Sequence, residues 1–251
     1  MLGYEIVGTG TSRVIVLNDW LCDTSTWDAA RTYLDAARFT WAFADLRGYG
    51  KSRSVDGVFT VVEGAADVIE LAGALGWARF AIVGHSMSSL VAMELAQHHA
   101  DRITRVVAIT PPPPTGFGGN EAMLAGSRAL AFGDDATRAN YFSTRFSRHL
   151  SPGWATFKAA RWRATSDPVA AAAYVAMFGR DGLPDPTARI AAPMLAITGE
   201  RDAEPMRAAA VTAALSPISE RLAVVALAEV GHYPMQEMPP FVVATLERFL
   251  S

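Results

Sequence analysis

Six short apolar runs recur along the chain: "RVIVL" (13–17), "TWAFA" (40–44), "RFAIV" (79–83), "ITRVVAI" (103–109), "MLAIT" (194–198) and "RLAVVAL" (221–227). Near-continuous apolar strands suit a sheet covered on both faces, because a sheet with one wet face alternates apolar and polar residues. Amphipathic stretches at roughly 26–37, 60–75, 87–99, 204–215 and 239–250 separate or follow these runs. The alternation predicts an α/β fold, a doubly wound and mostly parallel sheet with helices on both faces, joined by right-handed crossovers.

The alternation breaks once. After "AIT", Pro111 to Pro114 cannot continue a central strand, and about seventy residues of helical periodicity follow before "ARIAAPMLAIT" resumes the sheet. The division expected is a core of 1–110 and 187–251 with an insertion at 111–186. The insertion is rich in large apolar side chains, among them Trp154, Trp162, Tyr174 and Phe178. They either pack its helices together or form a greasy cover over a pocket.

In a doubly wound sheet, chemistry collects at the carboxyl ends of the strands. There the sequence reads "FAIVGHSMSSL" (80–90), so Ser86 stands three residues past the end of an apolar run, at a sharp turn into a helix. It is a helix cap or a nucleophile. Small residues two positions either side of it, Gly84 and Ser88, permit a strained strand-to-helix turn. The helix end then offers the Met87 N–H and the positive end of a dipole to an oxyanion. A serine needs a base, and the base works best when a carboxylate fixes its tautomer. Asp202 in "TGERDAEP" and His232 in "EVGHYP" follow later strands in the chain order Ser, acid, His. Glu200 and Glu204 are rival acids. Of the other histidines, His85 sits inside the turn and lines or supports it, His98 and His99 read as surface residues near a helix end, and His149 has no partner motif.

Together these motifs resemble the α/β-hydrolase superfamily, over essentially the whole chain. The likeness is carried by "GHSMS" (84–88), "DLRGYGKS" (45–52), "GERD" (199–202) and Gly231-His232. It implies that the insertion is a helical cap, that "DLRGYGKS" shapes a loop, and that a second oxyanion donor is a backbone N–H after a His-Gly pair. That pair is here Asn18-Asp19, which puts the donor at Trp20 and a carboxylate beside a site meant to hold negative charge. Asp19 either lines the pocket or caps a loop outside it. Asn in this position is similar to enol-lactonases of the superfamily.

The resemblance implies a serine hydrolase acting on a small-to-medium, mainly apolar carboxylic ester or lactone, with Ser86, Asp202 and His232 catalytic, Trp20 and Met87 as oxyanion donors, and Asp19, His85, Trp154, Trp162, Tyr174 and Phe178 about the substrate. Arg161 and Arg163 are candidates for a substrate carboxylate, or plain surface arginines. Two alternatives keep the fold. One is a ligand sensor with slow turnover, because the elbow is similar to that of the superfamily's hormone and stress receptors. The other is C–C bond hydrolysis or cofactor-free oxygenation. No cofactor or metal is expected, since neither HExxH nor a paired Cys/His cluster occurs. Basic and acidic residues number 22 and 25 with no long run of one sign, so neither nucleic acid nor an anionic membrane is an expected partner. No apolar run reaches the ~18 residues of a membrane span. The single cysteine, Cys22, excludes an internal disulfide, and the absence of a leader-like start makes the cytoplasm the expected location.

Overall fold

The computed structural model describes residues Met1–Ser251. The chain begins with β1 (Tyr4–Val7) and β2 (Ser12–Leu17), then the one-turn helix α1 (Asp28–Arg31), β3 (Phe39–Ala44), α2 (Val61–Ala74), β4 (Phe80–His85), α3 (Ser88–His98) and β5 (Ile103–Ile109). Four helices follow: α4 (Glu121–Ala131), α5 (Asp135–Ser143), α6 (Pro152–Thr165) and α7 (Pro168–Ala173), with a π turn at Met177–Asp181. Then come β6 (Met194–Gly199), α8 (Ala208–Leu215), β7 (Leu222–Leu227), α9 (Pro234–Glu237) and α10 (Pro239–Leu250).

The strands form one sheet in the order β1-β3-β2-β4-β5-β6-β7, with β1 antiparallel to β3 and every other pair parallel. Every residue of β3, β4 and β6 is buried, which is why these runs are apolar without alternation. The edge strands β1 and β7 are half-exposed.

Two elements depart from the sequence reading. Strand β1 is not expected from the pattern, because it is four residues long and its register comes from pairing Tyr4–Val7 with Trp41–Ala44. The helix expected over 26–37 shrinks to one turn. Asp35 Oδ1 accepts from the N–H groups of Ala37 and Arg38, at 3.1 and 3.0 Å, and this local turn competes with continued helix. Helix α2 matches its expected span because Thr60 Oγ1 caps the Glu63 N–H at 3.2 Å.

The proline run ends β5 abruptly, with Thr110 at φ 42°. Side chains of Asn120, Asp134 and Asp167 cap α4, α5 and α7, and Pro152 and Pro168 stand in the first turns of α6 and α7, where a missing N–H costs nothing. These helices are pinned to the segment after β2 by polar bonds. Buried Lys158 donates to Thr26 Oγ1 at 2.9 Å with its ammonium 4.9 Å from the Tyr233 ring centre, and the Trp20 indole donates to the Ala171 carbonyl at 2.7 Å.

The "DLRGYGKS" stretch is a loop clamp. Asp45 accepts from the Thr24 and Lys51 N–H groups at 2.8 and 2.9 Å, and Ser52 Oγ accepts from the Gly3 N–H and donates to the Asp45 carbonyl, at 2.8 and 2.7 Å. Arg47 makes a two-pronged contact with Asp67, 2.7 Å on each side. Replacing Asp45 with alanine leaves two N–H groups without an acceptor, and we expect a loss of roughly 2–4 kcal/mol in urea denaturation. A loss under about 1 kcal/mol would mean that water replaces the carboxylate freely.

Candidate active site

Strand β4 delivers Ser86 to the sheet's carboxyl edge in a left-handed conformation, φ 53°, which a non-glycine residue holds only under constraint from its surroundings. The constraint is visible. The Ser86 N–H donates to the Ile109 carbonyl at 2.8 Å, and Ser88 Oγ both accepts from the His85 N–H at 2.9 Å and donates to the His85 carbonyl at 3.1 Å. The serine standing where a glycine is usual therefore stitches the turn. Gly84 has no such latitude, because a Cβ there would lie 2.6 Å from the backbone of Ser88 and Ser89.

His232 follows β7, and its Nδ1 lies 2.7 Å from Asp202 Oδ2 beyond the end of β6. A carboxylate can only accept, so the ring proton is on Nδ1 and Nε2 keeps its lone pair as a base. Burial works to raise the Asp202 carboxyl, but attraction to His232, the hydrogen bond between them and the Ala203 N–H at 2.7 Å together pull it below the ordinary carboxylate range. The acid is thus held charged beside the imidazole. Glu200 and Glu204 are exposed and make no contact with His232. The His232 N–H donates to the Arg145 carbonyl at 2.7 Å, and Glu237 binds the Gly231 N–H at 2.9 Å and the Ser147 hydroxyl at 2.6 Å. The histidine loop is fastened to the connection between α5 and α6 by these bonds.

The turn after β2 is organised by Asn18, whose amide donates to the Asp19 and Cys22 carbonyls at 2.9 and 2.8 Å while its oxygen accepts from the Leu46 N–H at 2.7 Å. Neither the Trp20 nor the Met87 N–H donates to another backbone group, so both are available to an oxyanion. Asp19 is buried, 1 % exposed, and lines the same cavity as Ser86 and His232, which removes the reading of it as a loop cap outside the pocket.

That cavity measures about 370 Å³, large enough for a small ligand. Trp20, Phe117, Leu124, Val175, Phe178 and Met206 give it apolar walls. Among the side chains expected around a substrate, Asp19 and Phe178 line it, whereas His85, Trp154, Trp162 and Tyr174 stand behind the wall. Trp162 packs against Trp20 and Phe142, Trp154 against Tyr233, and Tyr174 stacks on Tyr49. Trp154 and Trp162 thus support lining residues, whereas Tyr174 packs away from the cavity. Arg161 and Arg163 are occupied elsewhere, paired with Asp23 at 2.9 Å and Asp135 at 2.6 Å. The cavity's arginine is Arg145, stacked 4.6 Å over Tyr141, which also lines it. These two were missed by sequence reasoning. Tyr141 lies near the end of α5 and Arg145 just past it, and nothing in the sequence pattern says that this stretch meets the pocket.

Cys22 is buried with its thiol pushed up to about 12, mainly by burial, which leaves it protonated and inert. No helix is long and apolar enough to cross a membrane.

Residues 14–245 match the model of the alpha/beta hydrolase family. The chain is 25 % identical to the enol-lactonase from Burkholderia xenovorans LB400, with a TM-score of 0.84 over 99 % of this chain and 96 % of that one. It superposes equally well, at a TM-score of 0.84, on a thermophilic esterase from Thermogutta terrifontis, with 24 % identity over 99 % of this chain and 92 % of that one, a likeness of fold. Among curated proteins it is 29 % identical over 114 residues to the pimeloyl-[acyl-carrier protein] methyl ester esterase of Klebsiella pneumoniae, across 44 % of this chain and 40 % of that protein. The chain thus spans about two fifths of the length of the curated relatives it matches.

Proposed function

The chain belongs to the alpha/beta hydrolase family, and on that premise we propose that it is a serine hydrolase cleaving a small-to-medium, mainly apolar carboxylic ester or lactone through an acyl-enzyme. Ser86 Oγ attacks the carbonyl carbon while its proton passes to His232 Nε2. The carbonyl oxygen gains the negative charge and is held by the N–H groups of Trp20 and Met87. Collapse expels the alcohol, which takes the proton from His232. Water then gives a proton to His232, attacks the acyl carbon, and releases the carboxylic acid as Ser86 recovers its proton. Residues 111–186 act as the cap that walls the pocket and keeps bulk water from the acyl group.

The observation that carries this reading is the 2.7 Å contact of His232 Nδ1 with Asp202 beside a cavity that also holds the strained Ser86. An ester or lactone fits best, because the lining is mainly apolar, with Asp19, Ser127, Arg145 and the hydroxyls of Tyr141 and Tyr233 as its polar groups beside the reacting ones, and the 25 %-identical relative is an enol-lactonase. Treatment with an aryl phosphonate should place one phosphonyl group on Ser86, located by peptide mass spectrometry, and end turnover in proportion to labelling. Full labelling at another residue, with Ser86 unmodified and activity gone, would overturn the assignment.

A further inference from the structure

Two buried polar atoms behind the proposed nucleophile have no hydrogen-bond partner: Asp19 Oδ1 and His85 Nδ1. They face one another at 3.7 Å, and both side chains are essentially inaccessible, at 2 % and 0 %. His85 Nε2 lies 2.7 Å from the His232 carbonyl oxygen, an acceptor only, so the ring proton sits on Nε2 and the Nδ1 lone pair is free. Two unpartnered acceptor atoms therefore stand 3.7 Å apart with no donor between them, an arrangement that costs free energy unless something positive fills it.

A third donor converges on the same point. One ligand atom from each of Asp19, His85 and His232 lies within 4.8 Å of the other two. The His232 atom free to contribute is Nε2, because Nδ1 is engaged by Asp202. Each imidazole thus gives its remaining N–H to a carboxylate or a backbone carbonyl, the outer-sphere pattern that orients histidines bound to a metal. We infer that these three residues form a site for a divalent transition metal ion, Zn²⁺ above all, held by Asp19 Oδ1, His85 Nδ1 and His232 Nε2.

The geometry is close to what such an ion needs. Donors each about 2.1 Å from a zinc ion can be at most about 4.2 Å apart. The 3.7 Å between Asp19 and His85 meets that limit, and the pairs with His232 lie within 4.8 Å. Two nitrogens and one oxygen suit zinc, cobalt or nickel better than magnesium or calcium. Asp19 and Asp202, both buried, offset the double charge, against the buried ammonium of Lys158 nearby. Asp19 and His232 also line the cavity, together with Ser86, and that cavity is the source of water for a fourth position.

The ion takes the lone pair of His232 that proton transfer from Ser86 requires. Metal binding and ester turnover then exclude one another, and zinc is a reversible inhibitor acting at the reacting groups. This consequence rests on the proposed hydrolase reading, whereas the binding itself does not.

The test uses Zn²⁺ alone, with p-nitrophenyl acetate for turnover and thermal unfolding for binding. Zinc should inhibit the wild type, with activity restored by EDTA, and Asp19→Asn should raise the half-inhibiting concentration by about 100-fold or more, since removing a ligand costs at least what losing an outer-sphere partner does. In Ser86→Ala, which has no turnover to report, saturating zinc should still raise Tm by about 5 °C, and Co²⁺ should give a visible absorption band that is lost in Asp19→Asn. His85→Asn repeats the arm if Asp19→Asn does not fold. The exposed His98, 3.1 Å from Glu94, is the rival site, and His98→Ala should leave the inhibition unchanged. The inference fails if zinc neither stabilises Ser86→Ala nor inhibits the wild type, or if inhibition survives Asp19→Asn and disappears in His98→Ala. Turnover that persists in Ser86→Ala sinks the hydrolase reading instead and leaves the thermal and optical arms standing.

Discussion

Ser86→Ala should lower kcat on an activated aryl ester by about 10⁴- to 10⁶-fold, the range seen when a hydrolytic serine is removed and only transition-state binding remains. The substitution takes away the oxygen proposed to attack and no side-chain hydrogen bond of the fold. Ser86 donates its backbone N–H to Ile109, and alanine keeps that bond. Its φ of 53° is as tolerable for alanine as for serine, so Tm should move by no more than about 2 °C. The two readouts together carry the meaning: a large fall in kcat with an unchanged melting curve identifies a chemical role. Residual turnover within tenfold of wild type would assign the nucleophile elsewhere, and a collapsed melting curve would make Ser86 a structural residue.

The second large effect is structural and falls two residues earlier. Gly84→Ala should cost roughly 3 kcal/mol or more, seen as a drop in Tm of about 10 °C, because the new methyl has no direction in which to yield. It would press on the Ser88 carbonyl carbon and the Ser89 Cα, both 2.6 Å away and both in the first turn of α3. Moving that turn displaces the Met87 N–H as well, so activity should fall further than stability alone explains. The contrast is Ser88→Gly, which only unties the Oγ bonds to His85 and should cost about 1 kcal/mol. If Gly84→Ala melts like the wild type, the elbow is looser than its distances indicate.

The sheet was legible because burial on both faces leaves no choice of residue type. Strands β3, β4 and β6 must be apolar at every position, and their runs stand out from any amphipathic background. Helix α1 was overread for the opposite reason: amphipathic spacing continues past Arg31, but Asp35 spends its carboxylate on the local backbone and stops the helix. Within the candidate site, the spacing of small residues about Ser86 and the strand-end positions of Asp202 and His232 pointed to three side chains whose chemistry demands each other's company. Arg145 and Tyr141 carried no such signal. The aromatic residues Trp154, Trp162 and Tyr174 were expected near a substrate, and the structure uses them as backing for Trp20, Tyr233 and Tyr49.

Local chemistry thus settles in advance which long runs become buried strands and which residues can take or give a proton, since these depend on neighbours a few positions away. What faces what across the molecule is a different matter. The opposition of Asp19 and His85 at 3.7 Å, the engagement of both imidazoles by outside acceptors, and the choice of Phe178 over Trp162 to meet the cavity arise from residues distant in the chain. No periodicity encodes these relations, because side-chain packing selects them only after the layers have closed on one another.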